Sequence, residues 1–272
     1  MTPIILTGEG LRAWQAIKKD PRQVGVVLDL DGSLWRSVQY PNRPDVDKRV
    51  PDTLRKLNEQ VGSLGFLTGR SVEQVRSFLG DVSRFHVLGQ FGAEYAYKDD
   101  HDLWVPVPPG LAEARTRLGQ VLREAQLEGV TVEDVKSHMV AVHLPPGLDP
   151  ADVADLVEAI QGLALATGLA FTPGHGVVEI GPPGVNKEWA LKRFVSGRRR
   201  KLSTIMYVGD SGPDLRAFDA LDRLRTEEGG QVSTLKVCAS DHPKLTRRAD
   251  AVVDGPVGTV ELLLTLVEIT AP

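Results

Sequence analysis

The sequence predicts an α/β fold, a doubly wound and mostly parallel sheet that carries an inserted α+β unit of order αββαββ. Three observations predict it. Apolar runs such as Val24 to Leu30 end in acidic or small polar residues, as buried parallel strands do. Segments with helical spacing separate these runs, giving a βαβα rhythm at both ends of the chain. In the middle, that rhythm gives way to a different one, bracketed by Pro106-Val107-Pro108-Pro109-Gly110 and by Gly181-Pro182-Pro183-Gly184. The chain therefore divides into a core of residues 1–107 and 183–272 and an inserted domain of residues 108–182.

Each element has its own signal. Val24 to Leu30 is the first strand. Leu54, Leu57 and Val61 share one face of a helix over Pro51 to Val61, which Gly62 ends. Leu64 to Thr68 is the second strand. Ser71, with Gln74 three residues on, reads as a capping box that opens a helix to about Leu79. Phe85 to Leu88 and Ala93 to Lys98 read as short strands. In the insert, Leu111, Leu118, Val121 and Leu122 mark a helix. Val130 to Glu133 and His138 to Leu144 are strands, and Asp149 to Ala166 is a helix. Leu169 to Thr172 and Gly176 to Ile180 form a hairpin around Pro173-Gly174. Beyond it come a helix at Lys187 to Phe194, a strand at Thr204 to Val208 and a helix at Pro213 to Leu224, with Pro213 in its first turn. Strands at Ser233 to Ala239 and Ala251 to Asp254 and a helix at Val260 to Val267 close the chain.

With 272 residues, 42% of them hydrophobic, and a formal net charge of -4, the chain has no global attraction for nucleic acid or anionic lipid. An anionic ligand must be held by local cations or a metal. The run Arg198-Arg199-Arg200-Lys201 lies between a helix and a strand and reads as a solvated turn. No apolar stretch is long enough to span a bilayer, and no basic leader precedes the short stretch Pro3 to Leu6. The expectation is a cytoplasmic protein with no membrane partner. The single cysteine, Cys238, has no intrachain disulfide partner and reads as a small buried hydrophobe. The sequence sets no oligomeric state; a monomer is compatible with it.

Four segments carry chemistry. In Val26-Val27-Leu28-Asp29-Leu30-Asp31-Gly32-Ser33-Leu34, two carboxylates stand two apart at the end of a strand, on the same side. Asp29 can attack phosphorus and form an aspartyl-phosphate, while Asp31 protonates the leaving oxygen and later activates water. In Leu67-Thr68-Gly69-Arg70, the Thr68 hydroxyl and nearby N–H groups can hold phosphate oxygens at a helix N-terminus. Lys187, in Pro183-Gly184-Val185-Asn186-Lys187, can reach a phosphoryl group as a point charge. In Gly209-Asp210-Ser211-Gly212-Pro213-Asp214, Asp210 can hold magnesium beside Asp29, and Asp214 can orient a metal-bound water or Lys187. Each segment has a plainer reading: acidic turn caps, a capped βα turn, a surface lysine, a capped helix start. Together they make a complete phosphoryl-transfer set, each member at the carboxyl end of a strand. His143 reads as packed or capping. His86, His101, His138, His175 and His242 show no zinc-like pairing, and Trp35 reads as packing near the mouth of the site.

In this order the four segments resemble motifs I to IV of the haloacid dehalogenase (HAD) superfamily, over nearly the whole chain. The insert resembles that superfamily's C2-type cap. The pattern is most similar to the trehalose-6-phosphate phosphatases. Gly92-Ala93-Glu94 resembles their Gly-Ala-Glu; Asp134-Val135-Lys136 with Val142-His143 resembles their sugar-contacting cap strand. Glu179 with Pro182-Pro183-Gly184-Val185-Asn186-Lys187 resembles their segment from cap to motif III. The departures are Phe91 for His, Asp134 for Glu, Ser33 for Thr, Gly181 for Arg, Glu188 for Gly, and Ser211 and Leu215 for acids. None removes a catalytic group; several lie on the substrate side.

The resemblance implies a Mg²⁺-dependent phosphatase. Its metal ligands are Asp29, Asp31 through its backbone carbonyl, and Asp210. Its catalytic residues are Asp29, Asp31, Thr68 and Lys187, with Asp214 in support. Gly69 and Arg70 are substrate-binding, as are Asp134, Lys136 and Glu179 on the cap, which read the sugar. The implied reaction is hydrolysis of trehalose 6-phosphate. A glycosyl-glycerate phosphate or pseudo-disaccharide phosphate would suit the same cap, and a non-catalytic sugar-phosphate binder is the reading from another class.

Overall fold

The structure, a computed structural model, describes residues 4–38, 40, 42–98, 100–133, 135–174, 176–197, 202–227 and 232–271. Asp134 and Arg198 to Lys201 lie outside these residues. The core begins with a two-residue strand β1 (Ile4–Ile5), helix α1 (Gly8–Lys19) and strand β2 (Val24–Leu28). There follow α2 (Val50–Gln60), β3 (Ser63–Leu67), α3 (Val72–Leu79), β4 (His86–Gly89), β5 (Glu94–Tyr97) and β6 (Asp100–Leu103). The inserted region contains α4 (Leu111–Ala125), β7 (Thr131–Glu133), β8 (Val140–His143), α5 (Pro150–Ala166), β9 (Ala170–Pro173) and β10 (Val177–Gly181). The chain then returns to the core through α6 (Lys187–Ser196), β11 (Thr204–Gly209), α7 (Asp214–Glu227), β12 (Ser233–Cys238), α8 (Pro243–Thr246), β13 (Ala251–Val252) and α9 (Gly255–Thr270).

Among the described residues the main sheet has nine strands in the order β1-β13-β12-β11-β2-β3-β4-β5-β6. The six strands from β13 to β4 run parallel; β1, β5 and β6 are antiparallel additions at the edges. Strand β2 pairs with β3 on one side and with β11 on the other, so the chain order reverses there and opens a crevice at the carboxyl ends of β2 and β11. Alternate side chains fill opposite faces. Val26 and Leu28 join Met206 and Val208 beneath α1, α2 and α9, whereas Val27, Ile205 and Tyr207 pack under α6 and α7.

The second sheet is antiparallel, in the order β7-β8-β10-β9. One face is apolar. Val140, Val142, Val178 and Ile180 pack against Leu111 and Leu118 of α4 and Leu156 and Ile160 of α5. The residues between them (Glu133, Ala141, His143 and Glu179) occupy the opposite face by strand parity. Glu133, His143 and Glu179 line a cavity shared with the core's strand ends.

The capping box at Ser71 is present, with Gln74 N–H donating to Ser71 Oγ and Ser71 N–H to Gln74 Oε1. Four described elements, β1, α1, β6 and α8, fall outside the sequence expectation, and α9 exceeds it. Helix α1 starts at a Thr7 cap and buries Trp14 and Ile17. Strand β6 is exposed at all four positions and carries Asp100, His101 and Asp102, so it has no apolar signature. Helix α9 runs longer than its apolar stretch, opening at Gly255-Pro256. No helix among the described residues is long and apolar enough to cross a membrane.

Candidate active site

The crevice gathers side chains from three strand ends and one helix start. Asp29 follows β2, and its N–H donates to Val208 O at 2.9 Å, which docks the β2 end onto β11. Thr68 follows β3 and Asp210 follows β11; Lys187 opens α6, whose N-cap Asn186 accepts from Glu188 and Trp189 N–H. Asp29, Asp31, Thr68, Gly69, Arg70 and Lys187 line one cavity with Asp210, and the cap side adds Lys136 and Glu179. Two glycines sit at close approaches. Gly32 has φ +84°, and a Cβ there would lie 2.1 Å from Asp210 Oδ2. At Gly69 a Cβ would meet Phe91 Cζ at 3.1 Å and Glu179 Oε1 at 3.2 Å, so a side chain there would need these neighbours to give by a few tenths of an ångström.

Lys187 Nζ stands 2.8 Å from Asp29 Oδ1 and 2.7 Å from Asp214 Oδ1. Asp214 is fully buried and has a donor on every side. Its Oδ1 also takes the Tyr207 hydroxyl at 2.5 Å, and its Oδ2 takes Asp210 N–H at 3.1 Å, Ser211 N–H at 2.9 Å and Ser211 Oγ at 3.1 Å. Burial alone would raise its pKa, but the lysine and these donors hold it below the ordinary value. Asp214 is therefore saturated. It fixes Lys187 and the loop of Asp210 and has no lone pair to spare for a cation.

Asp29 and Asp210 are in the opposite state. Burial, and then the neighbouring carboxylates, push Asp29 well above its ordinary value, although Lys187 draws it down. Asp210 is pushed up to about 7 by burial and by Asp214, even with Ser33 Oγ 3.2 Å from its Oδ1. Lys187, whose burial would lower its pKa, is held above the ordinary value by Asp214 and Asp29. Carboxylate oxygens of Asp29, Asp210 and Asp214 lie within 4.8 Å of one another. Three carboxylates against one ammonium leave two negative charges in excess, and all the donors are hard oxygens. That fits a divalent hard cation held by Asp29 and Asp210.

Asp31 is turned the other way. Arg70 grips it with Nε on Oδ2 and Nη2 on Oδ1, both at 2.8 Å, and the Trp35 indole N–H reaches Oδ1 at 3.1 Å. Arg70 also donates to Val38 O at 3.1 Å. The sequence reading took Arg70 as substrate-binding; it does line the cavity, but its guanidinium is engaged by Asp31. Trp35 is buried and also bonds to the acid.

Across the cavity, Lys136 Nζ lies 2.7 Å from Glu179 Oε1 and 3.4 Å from Glu133 Oε2, and His143 Nε2 lies 3.0 Å from Glu133 Oε2. All four side chains are buried. Gln74 Nε2, on α3, donates to Glu133 Oε1. Burial would raise Glu133, yet His143, Lys136 and Gln74 lower it to about 2. Sequence reading missed Glu133, having chosen its neighbour Asp134, which lies outside the described residues. It also missed Tyr207 and Gln90. Gln90 and Phe91 both have positive φ, 49° and 56°. The Gln90 side chain donates to Glu94 Oε1 and to Ser137 Oγ and accepts from His138 N–H, joining core and cap. Glu94, in the Gly-Ala-Glu segment, accepts from Val72 N–H at 2.8 Å at the start of α3 and from Ser137 Oγ at 2.9 Å.

Comparisons with known proteins bear on the family and the fold. The trehalose-phosphatase family profile matches residues 27–254. Two Mycobacterium tuberculosis proteins described as uncharacterized glycosyl hydrolases are 30% identical over 225 residues, 78% of this chain but only 16% of their own length. This chain thus spans about a sixth of those relatives. A probable trehalose-phosphate phosphatase of Sinorhizobium fredii is 28% identical over 218 residues, 77% of this chain and 78% of that protein. Among solved structures, the C-terminal domain of the C. albicans trehalose-6-phosphate phosphatase has a TM-score of 0.79 at 17% identity, covering 98% of each chain. A trehalose-6-phosphate phosphatase related protein has a TM-score of 0.70 at 21% identity, covering 90% of this chain and 97% of its own. A haloacid dehalogenase-like hydrolase from Bacteroides thetaiotaomicron gives 0.62 at 13% identity, covering 89% of this chain and 98% of its own. At these identities the structural likenesses bear on the fold. With the family profile spanning most of its length, the chain belongs to the trehalose-phosphatase family.

Proposed function

We propose that this chain hydrolyses a phosphorylated disaccharide, trehalose 6-phosphate foremost, through an aspartyl-phosphate on Asp29. The observation that carries the reading is the meeting of Asp29, Thr68 and Lys187 with a cap wall of Lys136, Glu133 and Glu179 across one cavity. Asp29, Asp210 and the backbone carbonyl of Asp31 would hold Mg²⁺, which supplies charge neutralisation to the phosphate oxygens. Asp29 attacks phosphorus as the bond to the sugar oxygen breaks, and Asp31 gives that oxygen a proton. Thr68 and Lys187 hold the equatorial oxygens. Asp31 then takes a proton from water, which attacks phosphorus and frees Asp29 and inorganic phosphate. Asp214 and Tyr207 keep Lys187 in place throughout.

The same proposal treats residues 108–182 as a cap and 1–107 with 183–272 as the catalytic core. It gives Lys136 and Glu179 the sugar hydroxyls, with Gly69 at the phosphate. A cytoplasmic setting belongs to it as well, supported by the one buried free thiol, Cys238. A second substrate reading rests on Phe91, whose ring fills the wall beside Gly69 where the family pattern has an imidazole. A related glycosyl phosphate with fewer hydroxyls at that wall would suit it.

Phosphate release from a panel of disaccharide, monosaccharide and glycosyl-glycerate phosphates, with Mg²⁺ present, tests the reading. Highest kcat/KM on trehalose 6-phosphate supports it. A preference for another glycosyl phosphate supports the second reading, and binding without release from any ester would leave a sugar-phosphate binder.

A further inference from the structure

We infer that Arg70 is the positioning residue for the acid/base Asp31, fixing its carboxylate plane so that Oδ2 is the oxygen that exchanges protons with the substrate. The inference rests on the proposed role of Asp31 and assigns a role to the residue beside it.

The geometry is specific. The planar guanidinium meets the carboxylate as a fork, Nε to Oδ2 and Nη2 to Oδ1, each at 2.8 Å, so both the position and the rotation of the carboxylate are determined. Trp35 N–H adds a second donor to Oδ1 at 3.1 Å. Oδ1 therefore accepts two hydrogen bonds and Oδ2 one, which leaves Oδ2 with the lone pair open toward the cavity.

Arg70 is itself immobilised. Its side chain is 6% exposed, its guanidinium donates to Val38 O and lies 5.6 Å from the centre of the Phe78 ring, and that ring stands edge-on to Trp35. Its backbone is held at both ends. The N–H donates to Thr68 Oγ1 at 3.1 Å, and the carbonyl accepts from Gln90 N–H at 2.9 Å. The phosphate-loop hydroxyl, the acid/base and the strained Gln90 turn thus meet in one residue. The charges of Glu133 and Glu179 on the cap also act on the guanidinium. A cap that shifts moves these carboxylates relative to the residue that aims the acid.

Positioning of a general acid has a signature that folding does not. A sugar alkoxide needs a proton to depart; p-nitrophenolate does not. Wild-type, Arg70→Gln and Arg70→Lys proteins, matched for circular dichroism and thermal midpoint, are compared on trehalose 6-phosphate and on p-nitrophenyl phosphate by rapid quench. Arg70→Gln should lose roughly a hundredfold in kcat on the sugar ester, the lower end of a general acid's contribution. On p-nitrophenyl phosphate it should keep a fast burst of nitrophenolate followed by slow phosphate release, because aspartyl-phosphate accumulates when water is poorly activated. Arg70→Lys, which keeps the charge and loses the fork, should recover only part of the rate. Equal losses of burst and sugar hydrolysis, or no loss of either, would overturn the inference. A variant too unstable to match the wild type would be replaced by Arg70→Met, read by the same burst. A wild-type protein inactive on every ester would instead sink the proposed function, a separate outcome.

Discussion

Lys187 places its ammonium 2.8 Å from Asp29 Oδ1, and a fully saturated Asp214 holds it there. Asp29, the proposed nucleophile, therefore lies beside a cation but also beside Asp210, whose carboxyl is pushed up to about 7. Asp29→Asn keeps this packing and removes the carboxylate proposed to attack phosphorus. Phosphate release should fall at least about a thousandfold while the fold and thermal midpoint stay near wild type. Near-normal turnover by the folded variant would eliminate Asp29 as nucleophile.

The excess negative charge at Asp29 and Asp210 makes a divalent cation stabilising. Millimolar Mg²⁺ should raise the thermal midpoint over an EDTA-treated sample. A concentration ten times the dissociation constant contributes about 1.4 kcal/mol. Asp210→Asn should abolish most of this response. The idea fails if the midpoints with and without Mg²⁺ coincide and EDTA-treated protein keeps full activity.

Lys136 lies buried between Glu179 and Glu133, so Lys136→Ala leaves two carboxylates without their cation and should cost about 3–5 kcal/mol of stability by urea unfolding. Glu179→Gln keeps the shape and is the cleaner test of sugar reading. It should lower kcat/KM for trehalose 6-phosphate by about 1–3 kcal/mol of transition-state binding and affect p-nitrophenyl phosphate less. Equal losses on both esters would remove Glu179 from substrate reading.

Glu133 is held at about 2 in the folded state against the usual 4.5. A depressed carboxylate contributes stability that is present above the unfolded value and is lost as pH falls toward the folded one. Between pH 6 and pH 3.5 the wild type should therefore lose about 1–2 kcal/mol more than Glu133→Gln. Parallel losses in the two proteins, followed by urea unfolding, would show that the carboxylate is not coupled to folding.

Tyr207→Phe removes one donor from Asp214 and leaves Lys187 in place. The cost should be about 1–2 kcal/mol of stability, with kcat reduced only severalfold. Unchanged stability would mean that the hydroxyl is replaced, for instance by water.

Much of this site was legible in the chain. Asp29, Thr68 and Asp210 each follow an apolar run that can only be a buried strand, and in a doubly wound sheet such strand ends converge where the strand order reverses. The capping box at Ser71 and the Pro/Gly boundaries of the insert are local signals, carried by residues within a few positions of one another. Glu133 was legible too, though overlooked. Val132 alternates with it, and the parity that buries Val132 beside Val142 turns Glu133 toward the cavity. Strand β6 was not legible, because an exposed, charged edge strand lacks the apolar alternation by which strands are recognised.

The sequence by itself determined the parallel core of the sheet, the inserted cap and the candidate set of reacting groups, because period and punctuation are properties of neighbouring residues. Only the tertiary structure decided that Arg70 closes on Asp31, 39 positions away, that Tyr207 on β11 supports Asp214 at the start of α7, and that Lys136 spans two carboxylates from separate strands. These pairings arise where buried charges must find partners in a low-dielectric interior, and that requirement selects among side chains by their distance in the folded chain, which no local pattern encodes.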